Sequence, residues 1–113
     1  MRLTLAPDGF GRMVCTAGHD GSEAVIAAAD AGQAAGALSM AVEQLAEVGT
    51  AECYWPAATG AYRWVFRRVD DEVRIAILWS TGTLTGWEHV FWAECDGADF
   101  QRQAREQLTT ISI

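Results

Sequence analysis

The alternation of side chains between Gly60 and Cys95 limits what this chain can fold into more than any other feature. The stretch reads GAYRWVFRRVDDEVRIAILWSTGTLTGWEHVFWAEC and holds four of the five tryptophans. In 61–69 the bulky residues Tyr62, Trp64 and Phe66 occupy alternate positions, and in 72–79 so do Val73, Ile75, Ile77 and Trp79. A strand sends successive side chains to opposite faces, so each run has one apolar face. With Asp70-Asp71 as the turn, Phe66 falls opposite Ile75, Trp64 opposite Ile77 and Tyr62 opposite Trp79. Turn and alternation demand the same register, which fixes the hairpin. Pairing Trp79 with Trp87 across the polar loop STGTLTG (80–86) extends it to a third strand, 87–95. Ile77 then meets His89, Ile75 meets Phe91 and Val73 meets Ala93, again with the apolar residues on one face.

The opposite face of this meander is half apolar. In the same register its rows are Arg67–Arg74–Trp92, Val65–Ala76–Val90 and Arg63–Leu78–Glu88, with Glu72 beside Glu94. A solvated face carries Thr, Lys and Glu; one that holds Val65, Leu78, Val90 and Trp92 in a frame of charge is a face that something covers. Two covers are open: the chain's own N-terminal strands, or a second protein docked on Val65, Arg67, Arg74, Leu78, Val90 and Trp92. Trp92 and Arg74 are of the residue types that anchor interfaces.

The flanking segments supply the rest of an α+β fold. Residues 2–5 and 12–16 alternate as short strands around the turn PDGFG. Asp20-Gly21 signals a hairpin, because glycine accepts the positive φ of tight primed turns. The segment 23–29 (EAVIAAA) carries both strand and helix formers. Asp30 with Gln33 three residues on has the form of a capping box, which sets a strand over 23–29 and starts a helix at Ala31. Ala31, Ala34, Leu38, Ala41, Val42, Leu45 and Val48 share one face of a helix 31–48, and Gly49 ends it. Pro56 cannot donate to a ladder, so 50–59 reads as a connection and not a central strand. Asp96 caps a second helix, 97–108, with Phe100, Ala104 and Leu108 on one face, and the tail TTISI alternates like a short strand or is frayed. The expectation is one domain over 1–113: an antiparallel sheet (2–5, 12–16, 23–29, 61–69, 72–79, 87–95) with both helices packed on one face.

Composition narrows the function classes. The chain has 113 residues, half of them apolar, and a net charge of −7. That is enough for one core and too apolar for disorder. The acidic balance weighs against nucleic acid and anionic membrane as partners. No apolar run approaches the ~20 residues of a membrane span, and MRLTLAPDGF does not read as a signal peptide. Cys15, Cys53 and Cys95 are odd in number and widely spaced, which fits reduced thiols and a cytoplasmic setting.

Residues that could carry chemistry do not assemble into a motif. Cys15, His19, Cys53, His89 and Cys95 lack zinc spacing, and His89 and Cys95 are expected on the core face. Cys15, His19 and Asp20 lie close in sequence without a nucleophile elbow. The carboxylates Asp70, Asp71, Glu72, Glu94, Asp96 and Asp99 sit in turns and caps, where nothing suggests the burial a general acid needs. Arg63, Arg67, Arg68 and Arg74 form a cationic cluster that Glu72, Glu88 and Glu94 are near enough to neutralise. No catalytic residue, cofactor or metal site is expected.

In size, acidity and α+β build the chain looks like two broad groups of small bacterial proteins: toxin-neutralising immunity proteins and the acidic, usually dimeric chaperones of secretion systems. The likeness rests on no motif. The chaperone group commonly begins with a helix, and this chain begins with a strand. The leading expectation is a non-enzymatic interaction module that binds a partner protein or a second copy of itself. The alternative is a small ligand-binding or hydrolytic domain with a pocket between helix 31–48 and the sheet, lined by His89, Trp79 or Tyr62.

Overall fold

A computed structural model describes residues 1–82 and 86–111. The elements run β1 (Arg2–Pro7), β2 (Met13–His19), β3 (Ser22–Ala28), α1 (Ala31–Val48), β4 (Thr50–Ala57), β5 (Gly60–Val69), β6 (Glu72–Ser80), β7 (Glu88–Asp96) and α2 (Gly97–Thr110). The fold is α+β, with two antiparallel sheets ordered β1-β2-β3 and β4-β5-β6-β7. The sheets touch where the Ala29 N–H donates to the Pro56 carbonyl at 2.8 Å. Pro56 has no N–H to return the bond, so the ladder stops there and the sheets stay separate.

Local chemistry sets the ends of the elements. Asp30 caps α1, its carboxylate accepting from the Gln33 N–H at 2.8 Å. Gly49 closes the helix at φ 83°, a left-handed conformation that glycine takes without strain. Asp20-Gly21 and Asp70-Asp71 are the two-residue turns of tight hairpins, His19 pairing with Ser22 and Val69 with Glu72. Asp96 caps α2 by accepting from the Asp99 N–H. Two expectations are corrected at helix ends. Val48 is exposed, because the chain reverses at Gly49 directly after it. Thr109 and Thr110 continue α2 instead of forming a strand. Positions 83–85 of the polar loop and 112–113 of the tail lie outside the described residues.

The segment 50–57 is a strand, not a connection. Ala51, Cys53 and Trp55 are buried and Glu52, Tyr54 and Pro56 exposed, the two-residue period of a half-buried strand. Pro56 is tolerated because β4 is the edge of its sheet. The carbonyls of Tyr54 and Pro56 are taken by the Gln33 side chain and the Ala29 N–H, which shows that these positions direct their polar groups away from β5. The missing proline N–H is therefore not owed to the ladder.

One apolar cluster joins both sheets and both helices. Its spine is aromatic: Trp55 lies 5.0 Å from Trp64 between ring centroids, Trp64 5.9 Å from Phe66, and Phe66 5.6 Å from Phe100. The line runs from β4 through β5 to α2. Helix α1 lays a face of mainly small residues (Ala31, Ala34, Ala35, Leu38, Ala41) into the same core. Helix α2 closes the open edge of the first sheet: Gln103 and Gln107 accept from the Leu3 and Leu5 N–H groups at 3.1 and 2.9 Å, and Gln103 donates to the Met1 carbonyl. Four helical residues rise about 6 Å and two strand residues about 6.8 Å, so glutamines one turn apart match alternate N–H groups of an edge strand.

Of the glycines, Gly60, where β5 begins, leaves the least room for a side chain. A Cβ there would collide with the Ser80 carbonyl oxygen and lie 2.8 and 2.9 Å from Trp79 ring carbons. Gly60→Ala is expected to destabilise the fold by at least about 1–3 kcal/mol, read as a lowered Tm. A control at Gly36, whose added Cβ meets nothing, should hold or gain stability by about 0.5–1 kcal/mol.

Candidate functional site

The outer face of the four-stranded sheet is built by the register of its ladders. β5 and β6 pair as the sequence predicts, with Trp64 opposite Ile77 and Phe66 opposite Ile75. β6 and β7 do not: Val73 meets Cys95, Ile75 meets Ala93 and Ile77 meets Phe91, a slip of two residues from the expected pairing. A slip of two returns every side chain to the same face, so alternation alone cannot detect it. An irregularity between Ile77 and Leu78 then sets Leu78 opposite His89. His89, expected in the core, is exposed as a result.

The rows of the outer face change accordingly. They are Arg67–Arg74–Glu94, Val65–Ala76–Trp92 and Arg63–Leu78–His89. Val65, Arg67, Arg74, Leu78, Val90 and Trp92 all belong to β5, β6 and β7, and Trp92 lies beside Ala76 instead of Arg74. Among the described residues no helix or strand covers this face: Trp92 is 52% exposed, Tyr54 45%, Trp87 42% and Val90 38%. The chain's own N-terminal strands, one of the two covers open from sequence, instead turn Leu3, Leu5, Met13, Cys15 and Ile26 into the shared core.

Two residues of β4 extend the face beyond what sequence reasoning assigned to it. Arg63 donates to the Glu52 carboxylate at 2.7 Å, and the Tyr54 hydroxyl donates to the same carboxylate at 3.0 Å. The Arg63 guanidinium stands 6.0 Å from the ring centres of both Tyr54 and Trp87, within the range of a cation–π contact. The Arg63 hydrogen bond, and then that of Tyr54, hold Glu52 below the ordinary carboxylate range. The signal for β4 was present in the alternation AECYW; Pro56 masked it.

Charge on the face is largely settled within the chain. Arg74 pairs with Glu94 at 3.4 Å. Arg68, expected in the cationic cluster, instead donates to the Ala46 carbonyl at the end of α1. Arg67 has no ion-pair partner among the described residues. Glu72 is shifted above its ordinary range, first by its hydrogen bond to Glu94 and then by that group's charge. The main cause is the neighbouring carboxylate, with desolvation behind it.

The remaining polar candidates are dispersed. Cys15 and Cys53 are buried on β2 and β4, and burial pushes both thiols up to about 12. Cys95 is half-buried at the end of β7, with the Met1 sulfur 4.0 Å away. His19 lies 3.3 Å from Asp20 in the β2–β3 turn. Among the described residues no group of three or more His, Cys, Asp or Glu side chains is placed to hold a metal ion. A cleft of about 420 Å³ opens between the end of α1, the Asp70-Asp71 turn and the start of α2, with Arg68, Gln101 and Arg105 on its walls. His89, Trp79 and Tyr62 do not line it.

No protein-family model, curated protein or solved structure matches this chain. No helix among the described residues is long and apolar enough to cross a membrane.

Two solution measurements follow from these environments. Thiolate is the reactive form of cysteine, and burial raises the Cys95 thiol too, but its half-exposure leaves it within reach. A disulfide reagent at neutral pH is expected to label Cys95 in the native protein and to reach Cys15 and Cys53 only on unfolding. Rapid labelling of all three in the folded state would contradict their burial. For Glu72, a carboxyl that binds its proton more tightly folded than unfolded weakens the fold when ionised. The penalty is absent below the ordinary glutamate pKa and grows as pH rises through the raised value. Glu72→Gln should raise Tm at about pH 8 and lose that advantage by about pH 4; a gain of equal size at both pH values would rule out the carboxylate pair as its source.

Proposed function

We propose that this protein is a non-enzymatic, cytoplasmic interaction module that binds another protein surface through the outer face of its four-stranded sheet. The observation that carries the reading is the exposure of Trp92, with Val90, Leu78 and Val65 around it, on a face that no helix or strand among the described residues covers. Contiguous apolar surface of this kind, rimmed by charge, marks sites where proteins meet. Tryptophan, tyrosine and arginine dominate binding energy at such sites, and Trp92, Trp87, Tyr54, Arg63 and Arg74 supply all three types. The chain's acidity favours protein over nucleic acid or anionic membrane as the partner.

A binding role is preferred to a chemical one for reasons of geometry. The Cys15 thiol is in the core, whereas His19 is engaged with Asp20 in a hairpin turn. The ligand-binding alternative would use the cleft at the end of α1. Its arginines are already engaged, Arg68 with the Ala46 carbonyl and Arg105 with Glu43 at 3.5 Å. A free anion would have to displace those contacts.

Trp92→Glu tests the premise that this face is spare to the fold. Exposed side chains outside packed contacts change stability by less than about 0.5 kcal/mol when replaced. The variant should keep its circular dichroism spectrum, and its Tm should stay within about 4 °C. A loss of several kcal/mol, as for a buried tryptophan, would sink the reading by showing that the face is structural.

A further inference from the structure

We propose that the occupant of this face is a second copy of the chain, joined sheet to sheet about a two-fold axis that runs along the strands between β6 and β7. The proposal rests on the binding reading above and names its partner.

Charge selects the face. The chain carries −7, so two copies repel over most of their surface. On the outer face Arg63, Arg67 and Arg74 stand against Glu52, Glu72, Glu94 and Asp96, so only one of the seven excess charges lies there. A face that steers an oppositely charged partner leaves its charges unpaired; here Arg63 and Arg74 are already held by Glu52 and Glu94 at 2.7 and 3.4 Å. This nearly neutral face is where a copy can approach with the least like-charge penalty.

Shape and register fix the arrangement. In a two-fold interface, if residue i touches residue j then j touches i. On neighbouring strands the face has a large residue beside a small one, Trp92 next to Ala76, and one row along it has Arg74 next to Glu94. An axis between β6 and β7 exchanges the two strands. It stands each Trp92 over the other copy's Ala76 and sets each Arg74 opposite the other copy's Glu94. At the end of the strands each Glu72 meets the other copy's Asp96, whose carboxylate is held by the Asp99 N–H at 2.9 Å. An axis between β5 and β6 would instead oppose Arg67 to Arg74. The overlap is confined to β6 and β7 with Val65 at its margin, a small interface of the class below about 1,200 Å² in total. A dimer that forms reversibly at micromolar concentrations is expected.

Sedimentation velocity on the full chain, from about 1 µM to about 500 µM, tests this with complementary charge swaps. The wild type should move from monomer to dimer as concentration rises. Arg74→Glu alone and Glu94→Arg alone should each weaken association at least tenfold. An equimolar mixture of the two variants should dimerise again, because each contact then joins opposite charges across the axis. That recovery cannot come from the pairing within one chain, which both variants lack.

A wild type that stays monomeric throughout overturns the second copy as occupant; it leaves the binding reading to the Trp92→Glu stability result. A dimer indifferent to either swap and to Trp92→Glu overturns the proposal and the binding face together. Weakening by both swaps without recovery in the mixture overturns the axis proposed. If a swap fails to fold by circular dichroism, Trp92→Glu decides by itself: unchanged dimerisation overturns the proposal, and a tenfold or greater loss sustains it.

Discussion

The structure depends on the aromatic line Trp55–Trp64–Phe66–Phe100. It is the contact through which an edge strand, a central strand and the C-terminal helix share one core. Burying about 200 Å² of a tryptophan at about 25 cal/mol per Å² contributes on the order of 5 kcal/mol. The indole N–H groups of Trp55 and Trp64 are buried without hydrogen-bond partners among the described residues, and each costs about 1–3 kcal/mol. Apolar burial exceeds that cost, so the core holds two unpaired donors and remains favourable. Four of the seven buried residues of α1 are alanines, so the large rings fill space that this helix leaves.

What the line does for the second sheet, α2 does for the first. Phe100 anchors the helix in the core, and Gln103 and Gln107, farther along it, reach the free edge of β1. An exposed strand edge invites pairing with other chains; side-chain amides at helical spacing close this one without adding a strand. With that edge closed and both helices drawn into the core, the outer face of the four-stranded sheet is left open. Its exposure follows from where the helices are spent: each has one apolar face, and both faces look inward.

The β5–β6 hairpin was legible because two independent requirements agree there. Turn residues and alternation both place Phe66 opposite Ile75, and no other pairing satisfies both. The helix bounds were legible for a similar reason, since Asp30 and Gly49 carry capping chemistry that does not need tertiary partners. Where one requirement stood alone the reading failed. β4 showed a clear alternation, but Pro56 argues against a strand unless the edge position is known, and edge position is a tertiary fact. The β6–β7 register rested on alternation without a tight turn, and alternation is blind to a slip of two. The residues of the candidate face were therefore assigned to the correct side, but their neighbours were not. Glu52 and Tyr54 were missed with the strand that Pro56 concealed, and Trp87, which alternation paired with Trp79, through the β6–β7 register, where Trp79 meets Glu88 instead.

By itself the sequence determined which residues form elements and which side of each element is apolar. These follow from steric periods and local hydrogen bonds that act over a few residues. Only the tertiary structure decided how the strands divide into two sheets, which strand is an edge, and that Trp92 stands beside Ala76 with Arg74 beside Glu94. Those outcomes depend on contacts between distant segments, such as Ala29 with Pro56 and Leu3 with Gln103. A segment's own pattern records that it has an apolar side; it does not record what that side will meet.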